Sequence, residues 1–262
     1  MAESKKNKEK KKPEQSSDLL KKTKVKKKTE RISTGISRLD KLTNGGFEAN
    51  SVNLLIGGSG NGKSVFSIQF IMQGLKKGEN CLYISFEEKK TEFFNNMKQL
   101  GFNLEDYEKK GNFIFLEYTP EKVRKMLNEG GGAIEATVLN KKVSRLVIDS
   151  ITAFSMLFEG EHEQRQAVLN LFNMLRKWDC STLITYERDP LLDERHTSRI
   201  LEFESDAIIY LYFFRNDSER ERYLEIIKMR GTKHSKEIWP YDIKENGIEI
   251  ADKPFKGKLP NK

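Results

Sequence analysis

The sequence predicts an α/β fold, a mainly parallel sheet flanked by helices, with an antiparallel β-hairpin extension towards the C-terminus. Three observations point there. Short apolar runs rich in Val, Ile and Leu alternate with helix-patterned stretches over most of the chain. A glycine-rich loop lies where the first strong apolar run gives way to the first long helical pattern. After about residue 206 the alternation stops and strand-like runs follow one another, which marks a change from crossover connections to hairpins.

The strand-like runs are Val52–Ile56, Cys81–Phe86, Phe113–Leu116, Leu146–Ile148 and Thr182–Tyr186. They are short and apolar, as strands covered on both faces should be. Helix-patterned stretches follow at Lys63–Lys77, Lys90–Leu100, Glu121–Leu127 and Glu163–Trp178. In the last of these, Ala167, Leu171, Met174, Leu175 and Trp178 recur at helical spacing and form a core-facing stripe, while Glu163, Arg165 and Arg176 face water. Ala207–Phe214 and Arg222–Met229 flank the polar stretch Arg215–Glu221 and read as the hairpin, with further strand-like sequence to Ile250.

Charge divides the chain. Of the formal net charge of +8, +7 belongs to residues 1–30, with 12 lysines against five acidic residues and no aromatic residue. Such a segment buries too little apolar surface to offset its ordering entropy and is expected to be a disordered Lys-rich tail, suited to solubility or to an anionic partner such as nucleic acid. Residues 31–252 form the expected compact domain, and 253–262 a short basic C-terminal tail. The longest apolar run, Ile208–Phe214, has seven residues, well under the ~18 of a membrane span. The N-terminus lacks the apolar stretch of a signal peptide. Cys81 and Cys180 have neither disulfide-framework nor zinc-site spacing, so a cytoplasmic protein is expected.

The segment Gly57–Ser64, GGSGNGKS, has the spacing G-x-x-x-x-G-K-[ST] at the end of an apolar strand and the start of a helix. Glycines let the backbone curl so that successive N–H groups point inward, and the helix N-terminus adds partial positive charge. Gly58, Ser59, Gly60, Asn61 and Gly62 would cradle phosphates, Lys63 would reach the β- and γ-phosphates, and the Ser64 hydroxyl would ligate Mg²⁺. Arg145-Leu-Val-Ile-Asp149 supplies an acid at the carboxyl end of a buried strand, where open α/β sheets bind ligands, so Asp149 is the candidate that holds magnesium through water.

Three further stretches resemble the KaiC-like branch of RecA-type ATPases: Ser33–Phe47 (STGISRLDKLTNGGF), the pair Glu87–Glu88, and Lys228–His234 (KMRGTKH). The resemblance covers about Arg31–Ile250. It implies a RecA-type P-loop NTPase core that binds ATP between the subunits of a ring, usually a hexamer. It implies that Glu87 positions or deprotonates the attacking water with Glu88 in support, and that Lys228 and Arg230 act in trans on a neighbour's ATP, with His234 near the same phosphate. Strand alternation would set Lys228 and Arg230 on one face and Met229 on the other, and would turn only one of the two glutamates to the γ-phosphate.

Clock-type members carry two such domains, and their kinase half has a Ser-Thr pair where this chain reads Glu202-Phe203-Glu204; Thr197 and Ser198 fall earlier. ATP hydrolysis is therefore expected rather than autokinase activity. The resulting expectation is a regulatory or assembly ATPase read by a protein partner. Two alternatives are a DNA-binding recombinase paralogue, contacting DNA through the tail and the loop Asp189–Ile200, and an ATP-binding scaffold with little hydrolysis.

Overall fold

The computed structural model describes residues 30–119, 122, 125, 131–152, 157–158, 160–190, 196–216 and 218–257. Residues 1–29 and 258–262 of the expected tails, and most of the expected helix Glu121–Leu127, lie outside the described residues. A nine-stranded sheet forms the centre. Its parallel strands are β3 (Val52–Gly57), β4 (Asn80–Ser85), β5 (Phe113–Glu117), β6 (Val143–Asp149), β7 (Ser181–Glu187) and β8 (Ala207–Asn216). Three more, β9 (Glu219–Met229), β10 (Ile238–Lys244) and β11 (Gly247–Ile250), continue it antiparallel from β8. The order across the sheet is β11-β10-β9-β8-β3-β7-β6-β4-β5. A two-stranded ribbon pairs β1 (Arg31–Ile32) with β2 (Phe47–Glu48).

Alternation along the strands builds two apolar layers. Leu55, Cys81, Tyr83, Val147 and Leu183 face one layer, with α1 (Ser37–Leu42), α2 (Lys63–Lys76) and α3 (Lys90–Gln99) packed on it. A short helix, α4 (Glu105–Lys109), leads from α3 to β5. Leu54, Ile56, Leu82, Ile84, Leu146, Ile148 and Ile184 face the other layer, under α5 (Gly132–Lys141), α6 (Glu161–Lys177) and α7 (His196–Glu204). The stripe read on α6 is core: Ala167, Leu171, Met174, Leu175 and Trp178 are buried.

Each apolar run lies in a strand, with shifted ends: β3, β5 and β7 gain one polar or small residue at one or both ends, β4 gains Asn80 but stops before Phe86, and β6 begins at Val143 and ends on Asp149. The hairpin differs from expectation. Within the polar stretch, Arg215, Asn216 and Glu219–Glu221 are strand, paired Arg215↔Arg220 and Asn216↔Glu219, because ladder hydrogen bonds hold these residues although the side chains of Arg215, Glu219 and Arg220 face solvent. The expected loop Asp189–Ile200 is already helix from His196, with residues 191–195 outside the described set.

The order places β3 between β7 and β8, while α2 carries the chain over β7 and β6 to β4. That crossover opens a crevice at the carboxyl ends of β3, β6 and β4, where doubly wound sheets bind ligands. One unforeseen anchor braces this frame. Arg145, fully buried on β6, pairs with Glu79 at 2.6 Å and donates to the carbonyls of Ser33 and Phe70 at 2.7 and 2.9 Å. A buried guanidinium is tolerable only when so fully bonded.

Candidate nucleotide site

The loop between β3 and α2 has the backbone of a phosphate cradle. Gly60 and Gly62 take left-handed conformations, with φ of 79° and 80°, which curl consecutive amides to one side. No side chain caps α2, so the first amides of this 14-residue helix remain open to a ligand. Asn61 fixes the outer side of the loop: its amide donates to the carbonyl of Leu211 on β8, and its own carbonyl accepts from the Tyr241 hydroxyl at 2.6 Å. A Cβ at Gly62 would lie 2.6 Å from Cδ1 of Ile243. Gly62→Ala is expected to destabilise the fold by about 1–3 kcal/mol, from backbone strain and crowding. It should lower the urea midpoint at unchanged slope.

Lys63 opens α2 and donates to the carbonyl of Gly58 at 2.9 Å, with Glu187 at 4.0 Å. Burial lowers its pKa, opposed by Glu187, Asp149 and Glu87. Asp149, at the end of β6, is held on both oxygens. Ser64 donates to Oδ2 at 2.9 Å, Thr185 donates to Oδ1 at 2.6 Å, and the Tyr83 hydroxyl also donates to Oδ2. Tyr83 is itself set by aromatic packing, stacked on Phe115 and tilted against Phe93 of α3. Packing of α3 on the sheet therefore fixes a partner of the acid.

Glu87 and Glu88 follow β4 but are not strand residues; they lie in bends after Ser85. Strand alternation therefore does not separate them, and both line the cleft. Their partners do separate them. Glu87 Oε1 accepts from Ser150 at 2.7 Å, which ties it to the end of β6. Glu88 accepts from Asn96 of α3 at 2.7 Å, and its backbone is clasped by Ser85. Burial raises the Glu88 pKa.

The resulting cleft has a volume of about 300 Å³, with one wall made of Ser59, Gly60, Gly62, Lys63 and Ser64 and the other of Glu87, Glu88, Asp149 and Glu187. Among the described lining residues Lys63 is the one cation, facing four carboxylates. The donor set suits Mg²⁺, which is held by one or two protein oxygens while phosphate and water complete its shell. Ser64, and Asp149 through water, are the residues that could hold it, and no group of three or more His, Cys, Asp or Glu able to hold a metal ion occurs among the described residues.

The remaining candidates lie elsewhere. Arg230 follows β9 rather than belonging to it. Its amide donates to Asp206 O, and Asp206 is bonded in turn to Val52, the first residue of β3. The phosphate loop begins five residues further along β3, about 16 Å away at ~3.3 Å per residue. Lys228 and Arg230 converge all the same, although Arg230 lies in the turn after β9 and strand alternation does not set it, and Met229 between them in sequence is buried. Both donate to the carbonyl of Phe203, at 2.9 and 2.7 Å. Lys228 also donates to Glu202 O at 2.9 Å, and Arg230 pairs with Asp206 at 3.0 Å. His234 lies in the following loop, with Nδ1 2.7 Å from Ser235 O. That loop is tied to the end of α1 by Ser235 N and Lys233 O.

Three contributors escaped sequence reading. Glu187 ends β7 in the same way that Asp149 ends β6, so the rule of an acid at a strand's carboxyl end would have found it. Tyr83 and Thr185 sit inside apolar runs and give no such signal.

Comparison with known proteins agrees with this geometry. The family model for the KaiC ATPase matches residues 32–254. The chain belongs to the KaiC family of ATPases. A UPF0273 protein of Pyrococcus horikoshii is 32% identical over 88% of this chain and 98% of its own length. Circadian clock protein KaiC3 of Synechocystis is 30% identical over 84% of this chain, which spans 45% of that relative. The crystal structure of a KaiC-like protein from P. horikoshii superposes with a TM-score of 0.76 at 32% identity, covering 85% of this chain and 99% of that one. The RecA-type core read from the sequence is thus the fold of this KaiC-family chain. No helix among its described residues is long and apolar enough to cross a membrane.

Proposed function

We propose that the chain is a regulatory or assembly ATPase of the cytoplasm. In this reading it binds ATP with Mg²⁺ on Gly58–Ser64 and hydrolyses it in a homo-oligomeric ring, hexameric as the family resemblance implies, whose state a protein partner reads. The observation that carries this is the charge balance of the cleft. Lys63 is the one cation among the described residues lining the cleft, amid four carboxylates, while two converged cations sit near the opposite, amino-terminal end of β3, out of reach of their own loop.

A neighbouring copy that presents Lys228 and Arg230 to the cleft, with His234 beside them, completes the site. Ser64, and Asp149 through water, would hold a magnesium ion, which would supply divalent charge on the phosphates. Glu87, held by Ser150, is placed to take the proton of the attacking water as the bond from the γ-phosphorus to the ADP oxygen breaks. Glu88, turned to Asn96, supports the turn that carries Glu87.

Lys63→Ala is expected to weaken ATP binding about 10- to 100-fold, the contribution of one charged hydrogen-bond donor. Titration with a fluorescent ATP analogue measures it, and wild-type affinity in the variant would overturn the assignment of the loop. The scaffold alternative gains nothing from a placed Glu87.

A nucleic-acid contact is a second reading, favoured only by the net +7 of residues 1–30. Removing residues 1–29 should leave phosphate release unchanged and abolish salt-sensitive retention of duplex DNA. Retention by the truncated chain would move that contact into the KaiC-type domain and promote the recombinase alternative.

A further inference from the structure

The amide of Arg188, one residue past the end of β7, donates to the carbonyl of Gly57 at 3.2 Å, so its backbone is fastened to the first residue of the phosphate loop. The preceding residue is Glu187, which faces Lys63. The Arg188 guanidinium is buried and runs away from the cleft to α7, where Nη2 donates to Glu202 Oε1 at 2.8 Å and to the Tyr210 hydroxyl at 2.8 Å. Tyr210 also donates to the same Glu202 oxygen, at 3.1 Å. The backbone carbonyls of that turn of α7, Glu202 O and Phe203 O, are the acceptors that hold Lys228 and Arg230. One contiguous set of bonds therefore joins a subunit's own phosphate loop to the two cations at the far edge of its sheet.

We infer that Arg188 and Glu202 are positioning residues that make the availability of Lys228 and Arg230 depend on whether their own subunit holds nucleotide. The inference rests on the reading that these cations act on a neighbour. The physical steps are local. In the structure Lys63 donates to Gly58 O and lies 4.0 Å from Glu187, and the two cations are bonded to α7 and Asp206. A triphosphate takes over Lys63, which releases Glu187 and draws the loop amides towards phosphate. Both changes act on the backbone that carries Arg188. A shift there loosens its charge-assisted bond to Glu202, and with it the last turn of α7, freeing the cations to swing outward.

The test uses mixed oligomers of the full-length chain in which only one kind of interface can turn over. The acceptor is Arg230→Ala, with intact loops and no arginine to give. The donor is either Lys63→Ala, whose weakened site is kept largely empty by an ATP concentration that fills only intact loops, or Glu87→Gln, whose site holds ATP without hydrolysing it. Phosphate release per mixed interface is expected to be at least about fivefold higher with the loaded donor, the lower end of ordinary coupling strengths. Placing Glu202→Gln in the donor should raise the empty-donor rate to the loaded one, because Gln retains the backbone carbonyl but loses the charge that Arg188 grips. Arg188→Gln in the donor should do the same. A merely structural role would lower both rates together. Recovered activity with equal rates from the two unmodified donors would overturn the coupling while the trans reading stands. No recovery in oligomers proven to be mixed would overturn the trans reading and the coupling with it.

Discussion

Arg230→Ala is expected to slow phosphate release 10³- to 10⁵-fold while ATP affinity stays within a few-fold of the unaltered chain, the range an arginine acting on transferring phosphate contributes. The separation of the two effects follows from position. Arg230 is linked through Asp206 to the start of β3, about five strand residues from the loop that binds the same subunit's nucleotide. Removing it leaves Lys63, Ser64 and the glycine amides unchanged. Loss of affinity in parallel with loss of rate would mean that Arg230 supports the fold of its own site. The mixed version is stricter. Lys63→Ala and Arg230→Ala are each inactive alone, yet after co-expression they form interfaces that join an intact loop to an intact arginine, and these should turn over. A monomeric enzyme would gain nothing from mixing. Native mass spectrometry of the same sample establishes that the oligomers contain both chains.

Glu87→Gln is expected to bind ATP normally and to release phosphate at least ~10²-fold more slowly, the ordinary contribution of a placed general base. The substitution keeps an oxygen for the Ser150 hydroxyl, which now bonds Glu87 at 2.7 Å, and removes only the capacity to accept a proton. Glu88→Gln should have the smaller effect, because that carboxylate is directed to Asn96. Single-turnover release with both variants decides between them. A crippled Glu88→Gln beside a freely active Glu87→Gln would reverse the assignment.

The phosphate loop was legible from the sequence because its requirements are local. Gly60 and Gly62 reflect left-handed backbone, and Lys63 and Ser64 follow at the start of a helix whose apolar pattern is plain. Asp149 was legible because a carboxylate after three aliphatics breaks the strand pattern. The different partners of Glu87 and Glu88 were not readable from strand alternation, since the chain has already left β4 at that point. Arg145 was unreadable for another reason. Nothing local distinguishes a solvated strand arginine from one buried against Glu79 and two carbonyls contributed by Ser33 and Phe70, far away in sequence. The resting place of Lys228 and Arg230 on α7 was hidden likewise, because their acceptors are main-chain carbonyls, which every residue possesses.

In the proposed ring, the placement of the phosphate loop and the paired cations at opposite ends of β3 also governs how copies of this chain would join. The two surfaces brought together at each contact are different, so the contact is heterologous, and a two-fold dimer cannot satisfy it with one surface meeting itself. Each added copy leaves one loop and one cation pair unmatched at the ends of the assembly. Growth is therefore polar, and it stops only where the rotation between neighbours divides a full circle. The same contact with a slightly different rotation would propagate as a helical filament, so closure depends on the angle between subunits as much as on the strength of the contact.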